Sequence, residues 1–335
     1  HLLRLFVAAG AFAILSLSTT SLAQSVQSAQ SMHWDFGTED STAPRLVPHG
    51  DVERDQAGPR PPEFPDFGED NLAVRFGGDG ARLMVDDGGG ESVFDFTNGQ
   101  ALTLEAWVNV SEIDSGKHAY VIGKGRTHAD GFDRENHNWA LRLTESDGEA
   151  KASFLFATPK SAGGQPWHRW MSDAGFVPGN GWHHVAVSYV FGEPASIVGW
   201  IDGERTNGTW DLGGATDKAP VVDDAAVWIG SSMGGSSSNS LAGLLDEVAV
   251  HRRVLPEDEM KARFHREGQP RESEQPEQAT PILANVEIPH GSVLVTFEES
   301  FLSHAKWPRA IEGNLISHAL LSSFYLHRMP FRYDD

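Results

Sequence analysis

The chain has 335 residues, 39% of them hydrophobic, with 35 glycines and no cysteine. This composition excludes a disordered chain and suits a turn-rich globular β protein. The lack of cysteine excludes disulfides, thiolate metal sites and covalent haem attachment within this segment. A net charge of −21, from 26 basic and 47 acidic residues, argues against nucleic acid as a partner, because phosphate binding needs a cationic surface.

Residues 1–23 read as an export signal. Arg4 stands for a basic start, and Leu5 to Leu17 is an apolar run too short to span a bilayer. Ser21-Leu22-Ala23 offers a small-x-small cleavage site before Gln24. No Cys follows the cut, so no lipid anchor is expected, and no membrane span is expected once the signal is removed. Because the sequence opens on His1, the native start is expected elsewhere. Residues 24–32 read as a spacer.

His33 to Phe36 alternates and predicts the first strand. Residues 41–70, rich in Pro, Asp and Arg and without a period, predict a long surface loop. From Asn71 the signals become regular. Leu72, Val74 and Phe76 alternate before a Gly-rich turn, as do Leu83 and Val85. Leu102, Leu104, Ala106, Val108 and Val110 form the cleanest alternating strand. Further strands are expected at Val121-Ile122, Trp139 to Leu143 and Ser153 to Phe156. Trp167-His168-Arg169-Trp170 falls in a Gly/Pro-rich connection.

In the stretch Gly181 to Glu204, His183, Val185, Val187 and Tyr189 point one way and Trp182, His184, Ala186 and Ser188 the other. Val198 to Ile201 then runs into Asp202-Gly203, a two-residue hairpin signal. Thr209 to Leu212, Ala226 to Ile229 and Leu244 to Val250 complete the strands. Pro256 to Phe264 predicts a helix, with Glu257, Asp258 and Glu259 in its first turn and Lys261 and Arg263 later. Many short strands between turn signals predict an all-β sandwich. Residues 266–280 have linker composition, and residues 281–335 read as the start of a second, truncated domain.

Together, Leu102-Thr-Leu-Glu-Ala-Trp-Val-Asn-Val, Val121-Ile-Gly-Lys-Gly, Trp139-Ala-Leu-Arg-Leu, Trp182-His-His-Val-Ala-Val, Trp200-Ile-Asp-Gly-Glu and Leu245-Asp-Glu-Val-Ala-Val-His-Arg-Arg-Val-Leu carry a resemblance. Residues 33–265 resemble the laminin-G-like jelly roll of the concanavalin A-like lectin/glucanase superfamily, close in pattern to pentraxins. The resemblance implies an antiparallel, two-sheet jelly-roll sandwich with a concave side often used for glycans or protein partners. It does not fix function, since the fold hosts binders and enzymes alike. The tail resembles segments that join such domains to large exported planctomycete-type proteins, some of which carry haem-c modules. The expectation is therefore a non-catalytic binding or adhesion module of an exported multidomain protein, periplasmic, cell-surface or extracellular. The alternative is an accessory or spacer domain whose active module lies beyond Asp335.

Several constellations bear on chemistry. Glu112-Ile113-Asp114 begins a glucanase-like carboxylate run, but Lys117 stands where the third acid belongs. Gly230-Ser231-Ser232-Met233-Gly234 matches a nucleophile elbow in letters, yet a loop composition follows where a helix is needed. A pentraxin-type calcium site is undercut by Ser231-Ser232-Met233 at the matching place; the loop holding Asp130, Asp133 and Asn136 offers the hard oxygen donors calcium takes. The competing reading of that loop is a solvated acidic surface. The glycan candidates are Trp167, His168, Arg169 and Trp170: indoles to stack on a sugar, or to cap the sandwich edge, and a guanidinium fork to orient it. His183 with His184, and Asp246 with Glu247, are strand neighbours facing opposite ways and do not suit a shared metal.

Overall fold

The computed structural model describes residues 31–37, 43–90, 92–164 and 166–266. The expected signal, the linker from 267 onward and the truncated second domain lie outside the described residues.

Sixteen strands form two antiparallel sheets of eight, and one α-helix follows them among the described residues. Sheet A runs β13 (Glu204–Thr206), β12 (Val198–Ile201), β11 (His183–Val190), β6 (Ala101–Val110), β16 (Ala242–His251), β4 (Leu72–Gly77) and β3 (Val52–Ala57), with β1 (Ser31–Trp34) also paired to β16. Sheet B runs β14 (Gly208–Leu212), β10 (Trp167–Phe176), β9 (Glu149–Ala157), β8 (Trp139–Ser146), β7 (His118–Lys124), β15 (Val227–Ile229), β5 (Arg82–Val85) and β2 (Val47–His49). The helix, α1, spans Glu257–Phe264. This is the all-β sandwich the alternation predicts.

Strand alternation builds the core. Leu102, Leu104, Ala106, Val108 and Val110 on β6, with Val185, Val187 and Tyr189 on β11, face Ile122, Leu141, Phe154 and Trp170 of sheet B. Register aligns the last four across neighbouring strands: Ile122 opposite Leu141, Leu141 opposite Phe154, Phe154 opposite Trp170. Burying side chains of this size stabilises by about 1.5–3 kcal/mol each, so the sandwich rests on apolar packing without disulfides. The Asp202-Gly203 turn joins β12 to β13 with both residues left-handed, φ 52° and 75°, as a type I′ hairpin requires. Gly203 has a second reason to be glycine: a Cβ there would lie 2.9 Å from the Phe264 ring.

The chain's own segments cover the outer face of sheet A. Phe64 and Phe67 of the 58–71 loop meet Trp107 edge-on, at 5.0 and 5.1 Å. Phe264 of α1 stacks on Trp107 at 5.4 Å and 10°, and Met260 packs with Trp200 and Ala186.

Three boundaries differ from expectation. The first strand starts at Ser31, so it takes in the end of the expected spacer. The expected loop 41–70 contains β2 and β3, largely exposed edge strands whose side chains show no apolar period because neither face is buried. Trp167 begins a ten-residue strand rather than lying in a connection.

Candidate functional site

The outer face of sheet B collects polar and cationic side chains from four adjacent strands. Register places Tyr120 opposite Arg142, Arg142 opposite Ser153, and Ser153 opposite Met171. The next row is Gly123, Ala140, Leu155 and Arg169. Gly123 leaves the space into which Tyr120 folds; a Cβ there would sit 2.1 Å from the phenol oxygen. The Tyr120 ring stacks on His137 at 6.1 Å and 15°, and its Oη lies 3.3 Å from His137 Nε2. Trp167 meets His137 edge-on at 6.0 Å. The Arg126 guanidinium lies over the Trp167 ring, 4.6 Å from its centroid, within cation–π range.

Arg126 is held there by a strained turn. Gly125 and Arg126 are both left-handed, φ 82° and 54°. The Arg126 N–H donates to Asn136 Oδ1 at 2.7 Å, and Asn136 Nδ2 donates to Asp223 at 2.7 Å. Asn138 Nδ2 donates to the same carboxylate at 3.1 Å.

Three arginines share this region, and among the described residues one carboxylate contacts them. Arg169 forks onto Asp211 with bonds of 2.8 and 2.6 Å. Arg142 is 2% exposed. Among the described residues it donates only to Asn239 Oδ1 at 3.3 Å and to Ser153 Oγ at 3.5 Å, and its Nε has no partner there. Burial, then Arg126 and Arg169, pull its pKa down to about 9, so it stays charged at neutral pH. His118 reads the same field: burial, then Arg142, Arg169 and Arg126, lower its pKa to about 3. Burial with Arg126 and Arg142 holds His137 well below the ordinary histidine value. Burial raises Tyr120 above the usual phenol range. At neutral pH the face therefore presents neutral rings among fixed positive charges.

A laminin G family model, described as the concanavalin A-like lectin/glucanases superfamily, matches residues 86–261, more than half of the chain. The chain belongs to this superfamily. Among solved structures it is similar to the binding domain of Paraclostridial Mosquitocidal Protein 1, at 14% identity and TM-score 0.47, covering 68% of this chain and 50% of that one. It is also similar to the receptor binding domain of botulinum neurotoxin mosaic serotype C/D, at 10% identity and TM-score 0.46, covering 71% and 51%. A third is domain 4 of AbnA, a GH43 extracellular arabinanase from Geobacillus stearothermophilus, in complex with arabinotriose, at 15% identity and TM-score 0.43, covering 69% and 95%. The chain thus spans about half the length of the first two. No curated protein sequence matches it.

Within this lectin/glucanase sandwich the four glycan candidates divide by strand alternation. Trp167 and Arg169 lie on the outer face of sheet B, both partly exposed. His168 and Trp170 point inward. Trp170 is 1% exposed in the core, and His168 stacks on Phe156 with Nδ1 2.9 Å from the Gly214 carbonyl. The structure therefore does not join the two tryptophans in one platform, because residues three apart on a strand face opposite ways. Arg126, Arg142, Tyr120 and His137 take the place of the inward pair. None was singled out from sequence; an Arg between two leucines at period two reads as a solvated strand face.

The calcium candidates are not assembled into a ligand shell. Asp133 accepts from Lys160 at 3.1 Å and from the Glu135 N–H at 2.9 Å. Asn136 is buried and spends its oxygen on Arg126. Asp130 is exposed. Among the described residues no three His, Cys, Asp or Glu side chains group as a metal site.

A second polar cluster lies under α1 on the outer face of sheet A. Glu105, 2% exposed, is held by Arg263, whose Nε donates at 2.6 Å. His251 Nε2 lies 3.0 Å and His184 Nε2 3.5 Å from the same carboxylate. Burial alone would raise the pKa of Glu105, but Arg263, His251 and His184 hold it well below the usual range. Glu247 pairs with Arg266 and, at 2.5 Å, with His33. Asp246 accepts instead from Asn71 Nδ2 at 2.8 Å. His183 bonds Asp202 at 2.8 Å while its neighbour faces Glu105. Each of these carboxylates has a partner from a neighbouring segment, and the cluster ties α1 to the sheet.

The rejected motifs are structural in place. Asp114 pairs with Lys117 at 2.6 Å in an exposed turn. After β15 the Gly230–Gly234 segment leads to a single 3-10 turn, Ser237–Asn239, with Ser231 Oγ 2.7 Å from Ser240 Oγ.

Proposed function

We propose that this domain is a non-catalytic binding module of an exported protein and recognises a glycan on the outer face of sheet B. The observation that carries the reading is the setting of Trp167: a partly exposed indole backed by Arg126, flanked by His137, and sharing its face with Arg169. An aromatic ring with a few convergent hydrogen-bonding groups is the usual make-up of a small-ligand site. Hydrolysis of a glycoside by the common route needs two carboxyl groups flanking one bond. On this face the contacting carboxylate, Asp211, is committed to Arg169, which supports binding over catalysis. The apolar run Leu5 to Leu17 and Ala23 support export, and the composition of residues 266–280 supports attachment to a further domain. That linker also favours the second reading, an accessory or spacer domain of a larger exported enzyme or haem-c protein.

A glycan array probed with the wild-type chain and with Trp167→Ala tests the proposal. Loss of one stacking anchor should cost about 1–3 kcal/mol, roughly ten- to hundredfold in affinity. Retention of wild-type affinity in a folded Trp167→Ala protein would move the site elsewhere. Silence of the wild type toward every glycan would favour the accessory or spacer role.

A further inference from the structure

We propose that the ligand of this face is an acidic polysaccharide whose carboxylate or sulfate group is drawn by Arg126, Arg142 and Arg169. This rests on the glycan-binding reading above and adds its charge. The decisive feature is Arg142. A buried guanidinium with no carboxylate in contact is costly to the fold, and Asn239 and Ser153, at 3.3 and 3.5 Å, offer only weak neutral compensation. Asp211 offsets part of that charge through space but makes no contact with Arg142, because its oxygens are forked by Arg169. Glu135, near Arg126, is paired with Lys160 at 3.1 Å. Lys151 on β9 extends the positive side, its one acidic contact among the described residues being Asp147 at 4.0 Å.

The roles divide by exposure. Arg142 is buried and acts as a positioning charge: in a region of low dielectric its field is poorly screened. Arg126 and Arg169 are partly exposed; Arg126 can meet an oxyanion directly with the planar fork that suits carboxylate and sulfate, while Arg169, whose Nε and Nη2 are held by Asp211, offers its Nη1. Trp167, backed on one ring face by Arg126, supplies the apolar surface for the sugar ring on the other. The net charge of −21 would repel a polyanion at long range, but screening at physiological salt limits such repulsion to about 8 Å. The local arginines therefore decide the sign of the interaction. The low pKa of His118 supports the same local field.

Calorimetry of the full chain with polygalacturonate, dextran sulfate and neutral dextran tests this, in low and moderate salt. The wild type should bind at least one acidic polymer at least tenfold more tightly than neutral dextran, with affinity falling as salt rises; which acidic polymer is preferred identifies the anion. Arg126→Gln should weaken that binding at least threefold. Arg142→Met should weaken it tenfold or more while leaving the melting temperature unchanged or higher, since an unpaired buried charge is removed. A purely structural Arg142 gives the opposite pattern: lower melting temperature and unchanged affinity in the folded protein, which would overturn its role. Equal binding of neutral and acidic polymers would overturn the anionic ligand and leave the glycan reading standing. Absence of binding to all three, together with a silent glycan array, would overturn both.

Discussion

Replacing Arg263 by Met probes whether the cluster under α1 holds the helix to the sandwich. Glu105 lies between Arg263, His251 and His184 and is 2% exposed. Burial, against the pull of Glu105, lowers the pKa of His251 below its ordinary 6.5, so at pH 8 His251 is neutral and Arg263 is the cation it leaves to balance Glu105. Removing one partner of a buried pair costs about 3–5 kcal/mol. Arg263 is 21% exposed at its side chain, which places the expected loss near the lower end, about 3 kcal/mol. For a domain of this size that is about 6–12 °C in melting temperature, at about 2–4 °C per kcal/mol. The loss should depend on pH. In the wild type, the depressed pKa of His251 means the unfolded chain takes up the proton first, so that group's contribution falls as pH drops below about 6.5. In the variant, His251 sits beside an unpaired carboxylate without Arg263 opposing it, and its folded pKa rises. Its contribution is then present at low pH and lost as pH rises through that value. Urea unfolding of both proteins at pH 8.0 and 5.5 should show the deficit narrowing at the lower pH. Equal stability of the two proteins at pH 8.0, or a deficit that widens at pH 5.5, would refute the reasoning.

Gly125→Ala should destabilise by more than about 2 kcal/mol, because φ is 82° and the new Cβ would meet the Asn136 carbonyl at 1.9 Å, whereas Gly214→Ala, at φ 72° with open space, should lose only the roughly 1 kcal/mol of left-handed strain; thermal melts compare them. His118→Asn should flatten the fall of melting temperature between about pH 6.5 and 4, because the folded pKa of His118 is depressed and stability is lost as the unfolded chain protonates. Calcium titrated into the chain should give no saturable heat, since Asp133 is tied to Lys160 and Asn136 to Arg126; a saturable heat that disappears in Asp133→Ala would restore that loop as a metal site.

The sandwich was legible where one strand face is apolar and the other is not. The alternation of Leu102 to Val110 marks β6, the split of His183 to Tyr189 marks β11, and Asp202-Gly203 marks the hairpin. β3 was not legible because its residues are largely exposed on both faces, leaving hydropathy nothing to alternate. β10 failed for the reverse reason. It buries His168 and Ser172 and leaves Trp167 and Met171 partly exposed, so polarity does not follow the pleat. That error mattered for the site. Read as a loop, Trp167 to Trp170 could form one platform; as a strand, it divides between core and outer face. The partners that replace Trp170 come from β7, β8 and the turn at Gly125. Only cross-strand register brings Tyr120, Arg142 and Ser153 into one row, and spacing along the chain carries no trace of it.

Hydrogen–deuterium exchange of the chain, free and saturated with the acidic oligosaccharide that binds best, tests the placement of the site most directly. The account predicts slowed exchange in β7 to β10 and in the turn at Gly125, with α1 and the 58–71 loop unchanged. Protection confined to α1 or to the edge of sheet A, with β7 to β10 unaffected by a ligand shown to be bound, would contradict it.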